Sequence, residues 1–557
     1  MAAFVYDGIV AVPTTSALVS STSVSSILMS ATVAPSASYT PFPPVGSLGR
    51  DFSPSGLEQL WDIVGPVEPP PFTTTVVPQL PILLPSPPPA LYPALYAQEP
   101  SKILPDYEFP VDFKFGVASA AYQVEGATKN EGKGPTIWDW CSPDVGDLQY
   151  YLYEEDVARV AALGFNAHSF SIAWARILPF GVAGSPVNQE GLDHYSNLIN
   201  YHLAMGMEPI VTLFHWDLPL ALQAYYGGFT SSNIVEDFAN YAKIVFQSFN
   251  GRVKTWLTFN EPAVFCAALA TYPFNLTLPP GINSSTAPYQ CSYNLHNLFL
   301  HHLIVSGVPW RQNSTLDAKA VERHGAFAIG WFSDPVYTTG DWPVVMTDTL
   351  PESYLPRFTE QEKQDLYGSA DFFAIDAYRT QYITIPPQGI DACATDFSNS
   401  LWPSCVQIMY YDPAGWAIGA SSDPKTTWLQ STPQYLRESL RAVYSRWPSS
   451  KMYLSEYGFA EPFENELSDL WRITEDITRT NYYLTYLAEL LLAINEDDLP
   501  IAGAFAWSLI DNSEWNSGFS VRFGIQHVNY STLERTYKRS AISLREFFAS
   551  HSQQGSL

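Results

Sequence analysis

The chain has 557 residues, 46% of them hydrophobic and 15% aromatic, enough to bury a large core and too apolar for a chain disordered as a whole. Its 55 acidic residues outnumber the 28 basic ones, and the formal net charge of −27 disfavours nucleic acid or an anionic membrane surface as a partner and favours a neutral ligand. No run of 18 apolar residues occurs, so no membrane span is predicted.

Residues 1–105 are dense in Ser, Thr, Pro and Val, and the prolines between Pro66 and Tyr96 exclude helix interiors and central strands. This stretch reads as a low-complexity, partly disordered extension, within which "LEQLWDIVGPV" (57–67) is expected to form one short helix docked on the main body. The opening "MAAFVYDGIVAVPTT" lacks a basic region and is broken by Asp7 and Pro13, so it reads poorly as a signal peptide.

Residues 106–557 form the second unit, in which short β-rich apolar segments recur. They are 113–119, 169–174, 209–215, 255–260, 326–331, 371–376, 451–456 and 502–508. Between them, 152–164, 238–249 and 479–494 return apolar residues every three or four positions, as amphipathic helices do. Near-continuous apolar strands alternating with helices predict parallel strands buried on both faces, and eight of them predict an α/β fold of the closed (β/α)8 barrel type. The longest gaps, before the fifth and seventh segments, read as insertions. An open doubly wound sheet is the alternative, but no Gly-x-Gly-x-x-Gly or P-loop pattern follows any strand to support a nucleotide site.

In such a barrel the carboxyl ends of the strands open into the active site. Asn260 with Glu261 closes the fourth segment and Glu456 the seventh, nearly opposite each other, while His215, Asp376 with Tyr378, and Trp507 close others. Two carboxyls facing one pocket suit glycoside hydrolysis: one stays protonated to donate to the leaving oxygen, the other stays ionised to meet the anomeric carbon. A separation of about 5 Å would indicate retention and roughly 6.5–9.5 Å inversion.

The strings "FKFGVASAAYQVEGA" (113–127), "SFSIAWARILPFG" (169–181), "VTLFHWDLP" (211–219), "WLTFNEP" (256–262), "YLSEYG" (453–458) and "WSLIDNSEWNSGFSVRFGIQHV" (507–528) together resemble family 1 of the glycoside hydrolases, the β-glucosidase family, over about residues 106–545. The resemblance implies a retaining β-glucosidase with Glu261 as acid/base and Glu456 as nucleophile. It implies that Tyr378 reaches the nucleophile, that Gln123, His215, Asn260, Glu514 and Trp515 bind hydroxyls of the non-reducing sugar, and that Trp507 lies beneath its ring. Neither cofactor nor metal is implied, and the expected partner is a small β-glucoside or oligosaccharide.

The departures from the family pattern cluster near the nucleophile. Ser169 stands where most relatives carry Arg, Tyr457 and Asp376 where Asn is usual, and Ser513 where Phe is common. Hydroxyls of Ser169, Tyr457 and Tyr378 are expected to supply hydrogen bonds in place of the missing guanidinium. Retained Glu514 argues against a phospho-β-glycosidase and Glu261 against a thioglucosidase, which leaves a catalytically weakened or silent sugar-binding homologue as the alternative.

Four Asn-x-Ser/Thr sequons, at Asn275, Asn283, Asn313 and Asn529, lead to the expectation of a secreted glycoprotein. Of the five cysteines, at least one must stay unpaired within the chain. Cys393 and Cys405 lie close together in a loop-like stretch and are expected to bridge if the compartment is oxidising, and otherwise to be free thiols.

Overall fold

The computed structural model describes residues 42–89, 104, 107–142, 146–269, 276–296 and 304–552; most of the extension, and Asn275, lie outside the described residues. Eight parallel strands build the body: β1 (Lys114–Ser119), β2 (Ala167–Ser171), β3 (Glu208–Phe214), β4 (Thr255–Phe259), β5 (Ile304–Pro309), β6 (Phe373–Thr384), β7 (Met452–Tyr457) and β8 (Ile501–Trp507). Their hydrogen-bonded order is β4-β3-β2-β1-β8-β7-β6-β5. The first strand pairs with the last, Val117 opposite Ala506, as the curl of a (β/α)8 barrel requires. β1, β2 and β7 are buried along almost their whole length, which is why they read as unbroken apolar runs.

Seven of the eight expected strands are present, and the fifth is a correction. The segment 326–331 is helical: Thr315–Gly325 runs into a wider turn, Ala326–Gly330, and on into Trp331–Tyr337. Six apolar residues do not distinguish a buried strand from a buried helix. What decides is upstream, where the Ser314 side chain accepts from the Asp317 N–H and starts a helix that continues through the apolar run. The true fifth strand, "IVSGVP", is punctuated by Gly307 and Pro309 and pairs with β6 from Ile304 opposite Ala377.

The expected helices are observed as Gln149–Ala162, Asn233–Phe249 and Ile477–Asp497. The docked helix of the extension is observed as Pro54–Val64, begun by the Ser53 side chain and Pro54 and ended by Gly65 at φ +96°. It buries Leu60 and Trp61, and the Trp61 indole donates to the carbonyl of Lys133 (3.1 Å).

Two disulfides brace the insertions. Cys393–Cys405 joins residues in the long excursion after β6, as expected for an oxidising compartment. Cys266–Cys291, which the spacing did not single out, ties helix Pro262–Ala268 to helix Ala287–His296 beyond β4. Cys141 is buried and belongs to neither disulfide.

Candidate active site

The β4 strand stops at Phe259, and the next two residues carry polar groups into the barrel mouth. The Asn260 N–H donates to the carbonyl of Phe214 (2.9 Å), which keeps the turn in register with β3. Glu261 then takes a left-handed conformation (φ +43°) at the start of helix Pro262–Ala268, a geometry that costs a non-glycine residue about 1–2 kcal/mol. Trp216 and Trp515 also have positive φ, at +73° and +43°. Such strain concentrates at functional sites, where the surrounding packing holds it.

Glu456 enters from β7, directly opposite Asp376 of β6 in the strand register. One oxygen from each of Glu261, Asp376 and Glu456 lies within 4.8 Å of the other two. Tyr378 Oη donates to Glu456 Oε2 (2.8 Å), and the carbonyl of Tyr378 accepts from the hydroxyls of Tyr482 (2.9 Å) and Tyr486 (2.8 Å), so helix Ile477–Asp497 positions this contact. Gly458 ends the turn because a Cβ there would collide with the carbonyl of Trp507.

Burial first, and then neighbouring carboxyl groups, raise Glu261 and Glu456 well above the ordinary range for glutamate. For Glu261 the neighbour is Asp376; for Glu456 they are Asp376, Glu261 and Glu514, against which the Tyr378 hydroxyl favours the ionised form. Burial also pushes Asp376 up to about 7, opposed by hydrogen bonds from the Ser455 side chain and the Glu456 backbone. No lysine or arginine pairs with these three groups among the described residues. Of the three hydroxyls expected to replace the missing guanidinium, only Tyr378 bonds Glu456; the buried Tyr457 hydroxyl has no partner.

The residues expected to bind sugar are gathered beside these carboxyls. Trp507 Nε1 donates to Glu514 Oε1 (3.0 Å), and Gln123 donates to the carbonyl of Ser513 (2.8 Å) and to Asn512 Oδ1 (3.1 Å). Gln123 Oε1 is buried without a donor, an acceptor left open for a ligand hydroxyl. His215 Nε2 lies 3.1 Å from Asn260 Nδ2, and its ring stacks 5.8 Å from both Trp507 and Trp515. Burial pushes His215 down to about 3, so its imidazole is neutral at ordinary pH and accepts from the Asn260 amide. Burial pushes Glu514 up to about 8, against hydrogen bonds from Trp507 and Gln123.

The loop carrying Glu514 is anchored by buried charges. Asp511 pairs with Lys538 (2.6 Å) and Arg522 (3.2 Å), and Lys538 also meets Glu464 (2.6 Å). Glu464, Asp511 and His527 are close enough to share a cation, but the Lys538 ammonium already supplies that charge.

All nine expected site residues therefore fall in one region. What sequence reasoning missed is Asp376 as a third facing carboxyl and Trp216, whose indole donates to the carbonyl of Asn260 (3.0 Å). The signal for Asp376 was present, an acid closing an apolar strand and a departure from Asn, but nothing local placed it against Glu261.

The sequence pattern of Glycosyl hydrolase family 1 matches residues 106–305 and 300–553. Beta-glucosidase 34 of Oryza sativa subsp. japonica is 36% identical over 488 residues, covering 80% of this chain and 93% of the relative. Among solved structures, a beta-glucosidase from the fungus Humicola insolens in complex with glucose is similar at a TM-score of 0.74 and 32% identity, over 81% of this chain and all of the other. The beta-glucosidase from Trichoderma harzianum is similar at 0.73 and 34%, over 81% of this chain and 99% of the other.

Proposed function

The chain belongs to glycosyl hydrolase family 1 and is a glycoside hydrolase, and on that premise we propose that it releases terminal, non-reducing β-D-glucosyl residues with retention of configuration. The observation that carries this reading is the spacing of Glu261 and Glu456, whose nearest offered oxygens lie within 4.8 Å. That approach supports the roughly 5 Å spacing of retaining enzymes over the roughly 6.5–9.5 Å of inverting ones.

The two environments assign the roles. Burial and neighbouring acids raise both carboxyls, but Glu456 alone accepts the Tyr378 hydroxyl, which favours its ionised form and supports it as the nucleophile and Glu261 as the acid. In the first step a Glu456 oxygen attacks the anomeric carbon while Glu261 gives its proton to the departing aglycone oxygen. In the second, Glu261 takes a proton from water, the hydroxide oxygen bonds to the anomeric carbon, and the bond to Glu456 breaks. Gln123, His215, Asn260, Glu514 and Trp515 supply hydroxyl contacts, with Trp507 beneath the ring. The relatives named as beta-glucosidases and the Humicola insolens complex with glucose support glucose as the sugar.

The absence of a cation beside Glu456 among the described residues favours the second reading, a protein that binds sugar and turns it over weakly. Hydrolysis of an aryl β-glucoside separates the two. The hydrolase reading expects turnover, lost by about 10⁴-fold or more in Glu456→Gln. Tight binding of glucose without turnover by the unmutated chain would overturn it. Secretion remains a proposal, supported by the two disulfides and by exposed sequon positions Asn283, Asn313 and Asn529. A mobility shift of the protein from its native source on treatment with peptide N-glycosidase tests it.

A further inference from the structure

We propose that Asp376 is a positioning residue for Glu261: its carboxylate accepts the Glu261 proton in a carboxyl–carboxylate hydrogen bond, keeping the acid loaded and aimed until a glycosidic oxygen takes its place. The inference deepens the hydrolase reading above and rests on it.

The geometry leaves few alternatives. Asp376 is 1% exposed, its Oδ1 is buried without a donor, and its carboxyl offers an oxygen within 4.8 Å of one from Glu261. Two ionised carboxylates only accept, so they repel at this distance; a proton held between them turns the contact into a bond. Its preferred end follows from the other neighbours. Hydrogen bonding by the Ser455 side chain, by Glu261 itself and by the Glu456 backbone draws Asp376 toward the anion against its burial, and among the described residues no donor lowers Glu261. The proton therefore rests on Glu261.

The titratable groups that face Asp376 and its two neighbours are acids, a tyrosine and a neutral histidine. Glu261 faces it from the end of β4, Ser455 and Glu456 from β7, and Tyr378 from its own strand; Glu514 faces Glu456 from the loop after β8. His215, at the end of β3, is neutral beside Asn260. With no cation among the described partners, the anion at 376 is uncompensated, and it raises the proton affinity of Glu261 and Glu456 together.

In turnover the bond must open and re-form. When a glucoside binds, its glycosidic oxygen replaces Asp376 as the acceptor, and the proton moves from Glu261 to that oxygen as the glycosidic bond breaks. When water then attacks the glycosyl-enzyme, its proton returns to Glu261 and the bond to Asp376 closes again. One proton leaves with the aglycone and one arrives from water, so a complete cycle restores the pair's protonation.

The test is the pH dependence of kcat/KM for Asp376→Asn, a near-isosteric change, with two aryl glucosides. A phenyl glucoside needs the acid; a 2,4-dinitrophenyl glucoside does not. The acid limb, set by ionisation of Glu456, is expected to move to lower pH with both substrates, and the alkaline limb, set by Glu261, to move down with the phenyl glucoside alone, each by about 1–3 pH units. Unchanged limbs with both substrates in a folded, active variant would overturn the proposal. Should Asp376→Asn not fold, infrared spectra of the unmutated protein with ¹³C-labelled aspartate or glutamate decide. A protonated glutamate with ionised aspartate at neutral pH supports the assignment, and a protonated aspartate overturns it. Failure of the unmutated chain to hydrolyse either glucoside would instead overturn the hydrolase reading.

Discussion

Tyr378 Oη donates to Glu456 Oε2 at 2.8 Å, and it is the one side-chain donor that reaches this carboxylate among the described residues. The hydroxyl therefore carries the work of orienting the nucleophile and holding it ionised in a site with no guanidinium beside it. Tyr378→Phe removes a hydrogen bond to a charged group, a contribution of about 1.5–3 kcal/mol. A fall in kcat of about ten- to a hundredfold is expected, with the acid limb of the pH profile moving upward as Glu456 protonates more readily. Ser169→Ala, which breaks no bond to Glu456, is expected to stay within about twofold. Steady-state kinetics across pH on both variants check this.

Glu514 Oε1 accepts from the Trp507 indole at 3.0 Å. Glu514→Gln keeps an acceptor for the indole but replaces the carboxyl, and above about pH 8 it also loses the charge that strengthens bonds to sugar hydroxyls. The expected result is a fall in kcat/KM on an aryl glucoside of about ten- to a hundredfold, with the melting temperature little changed.

The stability of the chain is expected to be greatest in mildly acid solution. Buried His168, His194, His202, His215 and His296 are all held below their ordinary 6.5, chiefly by burial. The unfolded chain therefore takes up more protons below pH 6.5, and stability falls as pH drops; Asp511 and Asp317, held low by their cationic partners, act in the same direction below about pH 4. Buried Glu261, Glu456, Asp376, Asp217, Asp476 and Glu514 are raised, chiefly by burial, so the folded chain keeps protons that the unfolded chain loses above about pH 4.5. Their contribution fades as pH rises through 7 and 8. Melting temperature against pH is expected to peak between about 4.5 and 6.5, where the two groups offset each other.

The Cys266–Cys291 bridge closes a loop with a sequence separation of 25 and anchors the helix that Glu261 begins. Replacing both cysteines with alanine is expected to cost about 3 kcal/mol by loss of that cross-link and to lower activity before the barrel melts. The same change at Cys393 and Cys405, away from the acid, is expected to lower stability and spare kcat. Thermal unfolding run beside activity assays distinguishes them.

Much of the barrel was legible because parallel strands buried on both faces must be apolar along their length, and that constraint is local. Seven strands carried it, with Glu261 and Glu456 marked by the oddity of a carboxyl closing an apolar run. The fifth strand escaped because "IVSGVP" is short and punctuated, while "AFAIGW" has a strand's composition inside a helix begun by Ser314. Cys266–Cys291 escaped because pairing depends on where two helices lie in space.

The amino-acid sequence by itself determined the repeating strand and helix units, the acidic surface and the identity of the two opposed carboxyls, since these follow from periodicity and residue chemistry. Only the tertiary structure decided that Asp376 stands against Glu261, that Tyr378 and neither Ser169 nor Tyr457 reaches Glu456, and that no cation among the described residues balances the three acids. Proton affinities and hydrogen bonds depend on burial and on distances between residues far apart in the chain, and those quantities exist only once the strands have closed around them.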